Sequence, residues 1–345
     1  MTAQFRFRAV AEIAQSLMAG GKGLLAMDES SPTCNKRLAA LGISQNEEVR
    51  RTWRELIVTT PKLADSISGA ILHDETIHQR LNDGRLFAQA LADMGIVAGI
   101  KVDTGAKFMA GHPGETVTEG LDDLRERLVG YVALGARFAK WRAVIATDEN
   151  LPSTACIAVN TQALARYAAL CREAGKVPIV EAEVLTAGDH TLNRYPKVTT
   201  QVLHSVFGQL HLQGVLLDGL VLKPNMVLPG LGCTCQDTVD KVADATVNCL
   251  VRHVPAAVPG IAFLSGGQSG QLATARLNAM NLRFRARAPW SPTFSFSRGL
   301  QYPALDIWRG ESGNVQQAQR ALQHGAACNS AARCGDCTYA MEHPV

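Results

Sequence analysis

The chain has 345 residues, 47% hydrophobic and 19% charged, which suits one large domain or two ordinary ones with substantial cores. Its 34 basic and 31 acidic residues leave a net charge of +3, too near balance for adhesion to nucleic acid or a membrane surface, so an anionic partner has to be met locally. Nine cysteines, an odd number spread from Cys34 to Cys337, argue against a disulfide framework and for reduced thiols.

At the N-terminus, Glu12 and Gln15 interrupt an apolar stretch and break the pattern of a secretory leader. No later run approaches the ~18 uninterrupted apolar residues of a membrane span, and the expected location is the cytoplasm. Eight short β-branched and aliphatic runs then follow, with room for a helix between them: GLLAMD ending at Asp28, SGAILHD at Asp74, VAGIKVD at Asp103, ARFAKWR at Arg142, VPIVEAE at Glu183, DGLVLK at Lys223, GIAFLSG at Gly266 and TFSFSR at Arg298. DLRERLVGYVALG and ALARYAALCREAG between them carry apolar residues at helical spacing and stop near Gly135 and Gly175, as helix C-caps do. Repeated βα units of this number predict an α/β fold, a (β/α)8 TIM barrel over about 22–300, with an N-terminal helical extension and a C-terminal helix and tail over about 301–345. No linker or internal repeat divides the chain, so residues 1–345 read as a single domain.

Nearly every run is apolar at its start and ionic at its end, and the C-terminal ends of barrel strands are where such folds keep their chemistry. Side chains two apart on a strand share a face, which pairs Lys101 with Asp103, Lys140 with Arg142 and Glu181 with Glu183. Lys223 closes an apolar run in LVLKPNM, where Pro224 cannot continue a central strand. This lysine reads either as one that snorkels to the barrel rim or as a Schiff-base nucleophile. The second reading needs the neutral amine, which burial beside another cation favours, and Lys140 is the candidate cation. Glu181 then serves as the acid/base that removes water from a carbinolamine, with Glu183 orienting the network. Both carboxylates also read as charge balance for the lysines.

FLSGGQSG at 263–270 is small and glycine-rich, as a loop must be where backbone N–H groups approach a phosphate, and Arg298 is placed to add a bidentate contact. LSGGQ alone also matches a nucleotide-hydrolase signature, but GxxxxGK[ST] is missing from the sequence. DESSPTCNKR at 28–37 gathers an acid, hydroxyls and two cations; Ser30, Ser31 or Thr33 is explained by a helix N-cap and Lys36 and Arg37 by solvated surface, or together they form a second anion site. Two phosphate pockets flanking a lysine suggest a bisphosphorylated carbonyl substrate. The nine histidines show no HxxxH, HxH or HExxH spacing, His73 and His78 lie five apart, and Cys334-Gly-Asp-Cys337 has no second pair, so no metal is expected.

GKGLLAMDES, GIKVD, FAKWR, VPIVEAE, LKPNM and FLSGGQS, in that order over about residues 5–333, resemble the strand-end motifs of class I, Schiff-base fructose-bisphosphate aldolases. The resemblance implies a metal-independent lyase that reversibly cleaves fructose 1,6-bisphosphate to dihydroxyacetone phosphate and glyceraldehyde 3-phosphate, with no cofactor beyond a covalent imine at Lys223. It implies Glu181 as general acid/base with Glu183 as partner, and Asp28 at the hydroxyl proton where the carbon–carbon bond breaks. Lys140, Arg142 and Lys101 would orient substrate and stabilise charge. Ser265, Gly266 and Arg298 would hold one phosphate, and Ser30, Thr33, Lys36 and Arg37 the other. A homotetramer with phosphorylated sugars as its partners is implied as well. Rival readings are a Schiff-base lyase for another phosphorylated ketose and a catalytically silent scaffold on the same fold.

The sequence departs from the family in three places. FSFSR puts Ser297 where a glycine is common, Ala182 stands where proline is common, and the chain ends TYAMEHPV, with Tyr339 in place of a terminal tyrosine. The expected consequence is a lower preference for the bisphosphate and a better relative rate with fructose 1-phosphate.

Overall fold

The computed structural model describes residues 3–342, with side chains from Arg8 onward. The last three residues of TYAMEHPV and the first two of the chain lie outside the described residues. Ten strands form: β1 (Gly23–Ala26), β2 (Ile67–Leu72), β3 (Val97–Lys101), β4 (Gly105–Phe108), β5 (Thr116–Glu119), β6 (Phe138–Ile145), β7 (Val177–Val184), β8 (Val221–Leu222), β9 (Gly260–Phe263) and β10 (Ser291–Phe296). Eight of them close into a parallel barrel in the order β1-β10-β9-β8-β7-β6-β3-β2, and β4 and β5 pair as a separate antiparallel hairpin. The barrel is the expected (β/α)8 architecture, and the apolar runs are its staves because parallel strands covered by helices are buried on both faces.

Helices Leu124–Ala133 and Thr154–Glu173 occupy the two stretches with helical spacing, and Gly135 and Gly175 follow them at φ 96° and 69°, the left-handed region that ends a helix. The hairpin was not expected. Phe108 is 90% exposed there and Thr118 alone of the hairpin's strand residues is buried, so the segment carries no apolar alternation to mark a strand.

Inside the barrel, Leu24, Ile71, Phe138, Val177, Ile179, Val221 and Ala262 form one buried cluster. Gly99 makes room for it: a Cβ there would sit 2.1 Å from the Phe138 ring, inside van der Waals contact. The N-terminal helix Ala3–Leu17 joins the same cluster through Val10, Ala14 and Leu17, followed by Met18. Gly219 lies under Val10, and Ser68 Oγ donates 2.6 Å to the Leu17 carbonyl. The helix therefore seals the N-terminal end of the barrel, and the polar strand ends are left at the other.

Register fixes what meets at that end. Lys101 is opposite Lys140, Arg142 opposite Glu181, and Val144 opposite Glu183. Several expected strand ends are displaced. β8 has only two residues, and Lys223 follows it, held by its N–H to the Val180 carbonyl at 2.8 Å. β6 and β7 run on beyond Arg142 and Glu183 to Ile145 and Val184. Asp74 ends no strand: His73 caps the short helix Asp74–His78, which turns Asp74 outward to accept from Tyr131 Oη at 2.6 Å. Arg298 likewise opens the helix Arg298–Trp308 rather than closing β10.

Candidate active site

All fourteen residues expected from the sequence line one cavity of about 680 Å³ at the C-terminal end of the barrel. At its floor four buried ionic groups form a chain. Lys223 Nζ stands 3.1 Å from Glu181 Oε1, Lys140 Nζ stands 2.8 Å from Glu181 Oε2, and Lys140 Nζ also stands 2.7 Å from Asp28 Oδ2. The Lys140–Glu181 contact is an ion pair whose angles fall short of a hydrogen bond. The expectation of two lysines side by side is thereby refined: Glu181 is interposed between them.

Burial works against the charges of Lys140, Asp28 and Glu181, and their neighbours outweigh it. Burial pushes the Lys140 ammonium towards its neutral form, but Asp28, Glu181 and Asp103 hold it well above the usual lysine range. Burial likewise raises Asp28, yet Lys140, Lys223 and Lys101 bring it far below the usual carboxylate range. Glu181 is raised by burial and lowered more by Lys140, Lys223 and Arg142. Lys140 is therefore a fixed cation, and both carboxylates are ionised in the resting site.

The remaining members of the i,i+2 pairs are used differently. Lys101 Nζ contacts Asp103 Oδ1 at 2.7 Å on its own strand end, while Asp103 Oδ2 accepts the Arg142 backbone N–H at 3.1 Å. Arg142 Nε donates to Glu183 Oε2 at 2.5 Å, so Glu183 braces Arg142 on the cavity wall instead of extending the Lys140–Glu181 chain.

The glycine loop after β9 has the predicted form. Gly266 and Gly267 take φ 56° and 82°, and a Cβ on Gly267 would lie 2.9 Å from Leu231. The loop is tied down by Thr186 Oγ1 donating to the Gly266 carbonyl and by Gln268 Nε2 donating 2.8 Å to the Ser265 carbonyl. Ser269 then caps the helix Gly270–Phe284. Arg298 is exposed at the mouth nearby. Across the cavity Ser30 Oγ and Thr33 Oγ1 are 3.0 Å apart, and Lys36 is exposed.

Arg37 is the exception among these cations, because it is already engaged by a residue the sequence did not single out. Glu29 Oε1 accepts from Arg37 Nη1, from Ser297 Oγ at 2.6 Å and from Gln301 Nε2 at 2.8 Å, and its Oε2 accepts from the buried Arg54. Tyr302 covers the Arg37 guanidinium, 5.5 Å from ring centroid to Cζ. Glu29 adjoins Asp28 in MDES, a visible signal, but nothing in the sequence says that Arg54, on the helix Glu47–Val58, turns inward to meet it. Tyr339 begins the last helix, is 79% exposed and is not among the residues that line the cavity.

Burial raises Glu29, but Arg54 and Arg37 bring it down to about 2 from the ordinary 4.5. A carboxylate depressed on folding contributes stability that is complete above about pH 4.5 and fades as pH falls towards 2, on the order of 3 kcal/mol in all. Urea denaturation at pH 7, 4 and 3 should show the gap between the unaltered protein and Glu29→Gln narrowing with acid. A gap that stays constant would rule out this assignment.

The sequence was compared with those of known proteins. The family profile described as fructose-bisphosphate aldolase class-I matches residues 9–344. A probable fructose-bisphosphate aldolase class 1 of Xanthomonas campestris pv. campestris is 52% identical over 327 residues, covering 94% of this chain and 97% of that one. Fructose-bisphosphate aldolase 6, cytosolic, of Arabidopsis thaliana is 47% identical over 315 residues, 91% of this chain and 87% of that one. Among solved structures, fructose-bisphosphate aldolase of Plasmodium falciparum, in a complex with TRAP and a small-molecule inhibitor, superposes with a TM-score of 0.94 at 41% identity, over 97% of this chain and 96% of that one.

Proposed function

Since the chain belongs to the class I fructose-bisphosphate aldolase family, a family of metal-independent lyases, we propose that it cleaves fructose 1,6-bisphosphate reversibly through an imine on Lys223. The observation that carries this reading is Glu181 in contact with both Lys223 and Lys140 at the buried floor of the cavity.

The neutral Lys223 amine adds to the ketose carbonyl, and the carbinolamine must then lose its hydroxyl as water. Glu181, 3.1 Å from Lys223 Nζ, is within reach to accept the amine's proton and return it to the departing oxygen. Loss of the Lys223 charge removes one of the two lysines that depress Glu181, so its basicity rises at the step that needs a proton acceptor. Lys140 stays charged throughout and holds Asp28 and Glu181 in place. Asp28 accepts the proton from the hydroxyl on the far side of the scissile carbon–carbon bond, the bonding electrons flow into the protonated imine, and the aldehyde departs. Protonation of the enamine and hydrolysis of the imine then free the second product and Lys223. Glu183 fixes Arg142, which with Lys101 meets the substrate's hydroxyls. Ser265, Gly266 and Arg298 take one phosphate, and Ser30, Thr33, Lys36 and Arg37 surround the other.

The same membership supports phosphorylated sugars as partners and a homotetramer, which light scattering checks. A cytosolic plant relative supports a cytoplasmic location, and among the described residues no helix is long and apolar enough to cross a membrane. We read residues 1–345 as one domain, supported by the N-terminal helix that joins the buried cluster inside the barrel and by the helix Val315–Cys334, which packs against the helices Gly270–Phe284 and Arg298–Trp308.

Borohydride reduction in the presence of dihydroxyacetone phosphate should leave a stable adduct on the peptide that contains Lys223, unchanged by a metal chelator. Folded protein that gives no adduct would overturn the imine and leave a silent scaffold as the better reading.

A further inference from the structure

The cavity holds one polar arrangement that the cleavage chemistry does not use. Ser297 lies between β10 and the helix Arg298–Trp308, and its side chain touches three residues, Glu29, Arg37 and Gln301. Its hydroxyl proton goes to Glu29 Oε1 at 2.6 Å, and its oxygen faces Arg37 Nη1 and Nη2 at 3.4 and 3.3 Å. Gln301 Nε2 approaches the same oxygen at 3.4 Å. Both terminal nitrogens of Arg37 are therefore turned towards Ser297 and Glu29, and its flat face lies against Tyr302. Only 14% of the Arg37 side chain remains exposed.

An arginine holds phosphate best through two parallel N–H donors from its terminal fork. Here that fork is occupied by a carboxylate and a hydroxyl inside the same cavity. A phosphate at this end has to displace them or be met by Lys36 and the Ser30 and Thr33 hydroxyls alone. Among the described residues, no carboxylate or hydroxyl is hydrogen-bonded to Arg298 at the other end.

We propose that Ser297 is a specificity-determining residue, whose hydroxyl fastens Arg37 to Glu29 and so weakens the grip on the phosphate distal to Lys223. This rests on the proposed function for the assignment of the two ends. The effect falls on the second phosphate only, which favours ketoses phosphorylated once, at the end held by Ser265, Gly266 and Arg298. Backbone conformation does not explain the residue. Ser297 has φ −107° and ψ −85°, and alanine carries the same Cβ at that backbone geometry, so the hydroxyl can be removed without altering the backbone's preference.

The test uses two readouts, one of which needs no turnover. Calorimetry compares binding of hexane-1,6-diol bisphosphate with that of hexyl phosphate to the unaltered protein, Ser297→Ala and Ser297→Thr. The ratio of the two dissociation constants should shift three- to tenfold towards the bisphosphate in Ser297→Ala and stay near its original value in Ser297→Thr, which keeps the hydroxyl. Steady-state kinetics should move the same way: the ratio of kcat/KM for fructose 1,6-bisphosphate to that for fructose 1-phosphate rises, mainly through a lower KM for the bisphosphate. A purely structural role would change both ligands alike. An unchanged or reversed ratio in the binding experiment overturns the inference, as does Ser297→Thr behaving like Ser297→Ala. Absence of a borohydride adduct overturns the imine instead, and the binding ratio still decides the role of Ser297.

Discussion

Replacement of Lys223 by methionine should lower turnover by at least about four orders of magnitude and leave the fold in place. Methionine matches the length of the lysine stem, which is buried, with the side chain only 4% exposed. The lost ammonium does not leave Glu181 alone, because Lys140 remains 2.8 Å from its second oxygen. That retained pair separates the proposal from a rim lysine of merely structural value. The imine requires an amine, whereas a snorkelling lysine could be replaced by methionine with little effect on rate. The measurements are kcat with fructose 1,6-bisphosphate, the borohydride adduct by mass, and a thermal melt. Turnover within tenfold of the unaltered protein would rule out Lys223 as nucleophile.

Glu181→Gln should reduce kcat by about 10²–10⁴ with a much smaller change in KM, the range expected when a proton-transfer group is removed from a site that still binds. Glutamine preserves the shape between Lys140 and Lys223 but can take no proton from the amine and return none to the carbinolamine. Imine formation with dihydroxyacetone phosphate should slow accordingly, so that the same adduct appears with borohydride only after longer incubation. Lys140 keeps Asp28 as a partner at 2.7 Å, whereas Lys223 loses its carboxylate partner and keeps only the glutamine oxygen in its place. Were kcat to stay within threefold while KM rose, Glu181 would be a binding group only, and the proton would have to travel by another residue.

The barrel was legible because its signal repeats. Eight apolar runs, seven of them with ionic ends, are hard to arrange in any other way, and the period of two correctly paired Lys101 with Asp103 on one face. The errors share a physical origin. A charged residue after a strand does not show whether the chain has already turned, so Asp74 and Arg298 were read as strand ends although both start helices. The β4–β5 hairpin buries little and therefore leaves no hydrophobic period. The contacts of Glu29 were invisible for a different reason. Arg54 belongs to EEVRRTWRELIV, where charged residues look like a solvated helix face, and only packing against the barrel turns that arginine inward at 3% exposure. The sequence likewise located Ser297 as a departure from the family motif, but its hydrogen bonds to residues some 260 positions away are a property of the closed barrel alone.

The helix that seals the bottom of the barrel makes the active site a vessel with one doorway. On the proposed chemistry, traffic through that doorway has a fixed order. The ketose enters, one half becomes tethered to the floor, and the aldehyde half must back out past residues 28–37, which run into the helix Ser31–Ala39, before the tethered half can follow. Each departing product therefore blocks the path of the next substrate, so inhibition by product is a consequence of architecture as much as of affinity.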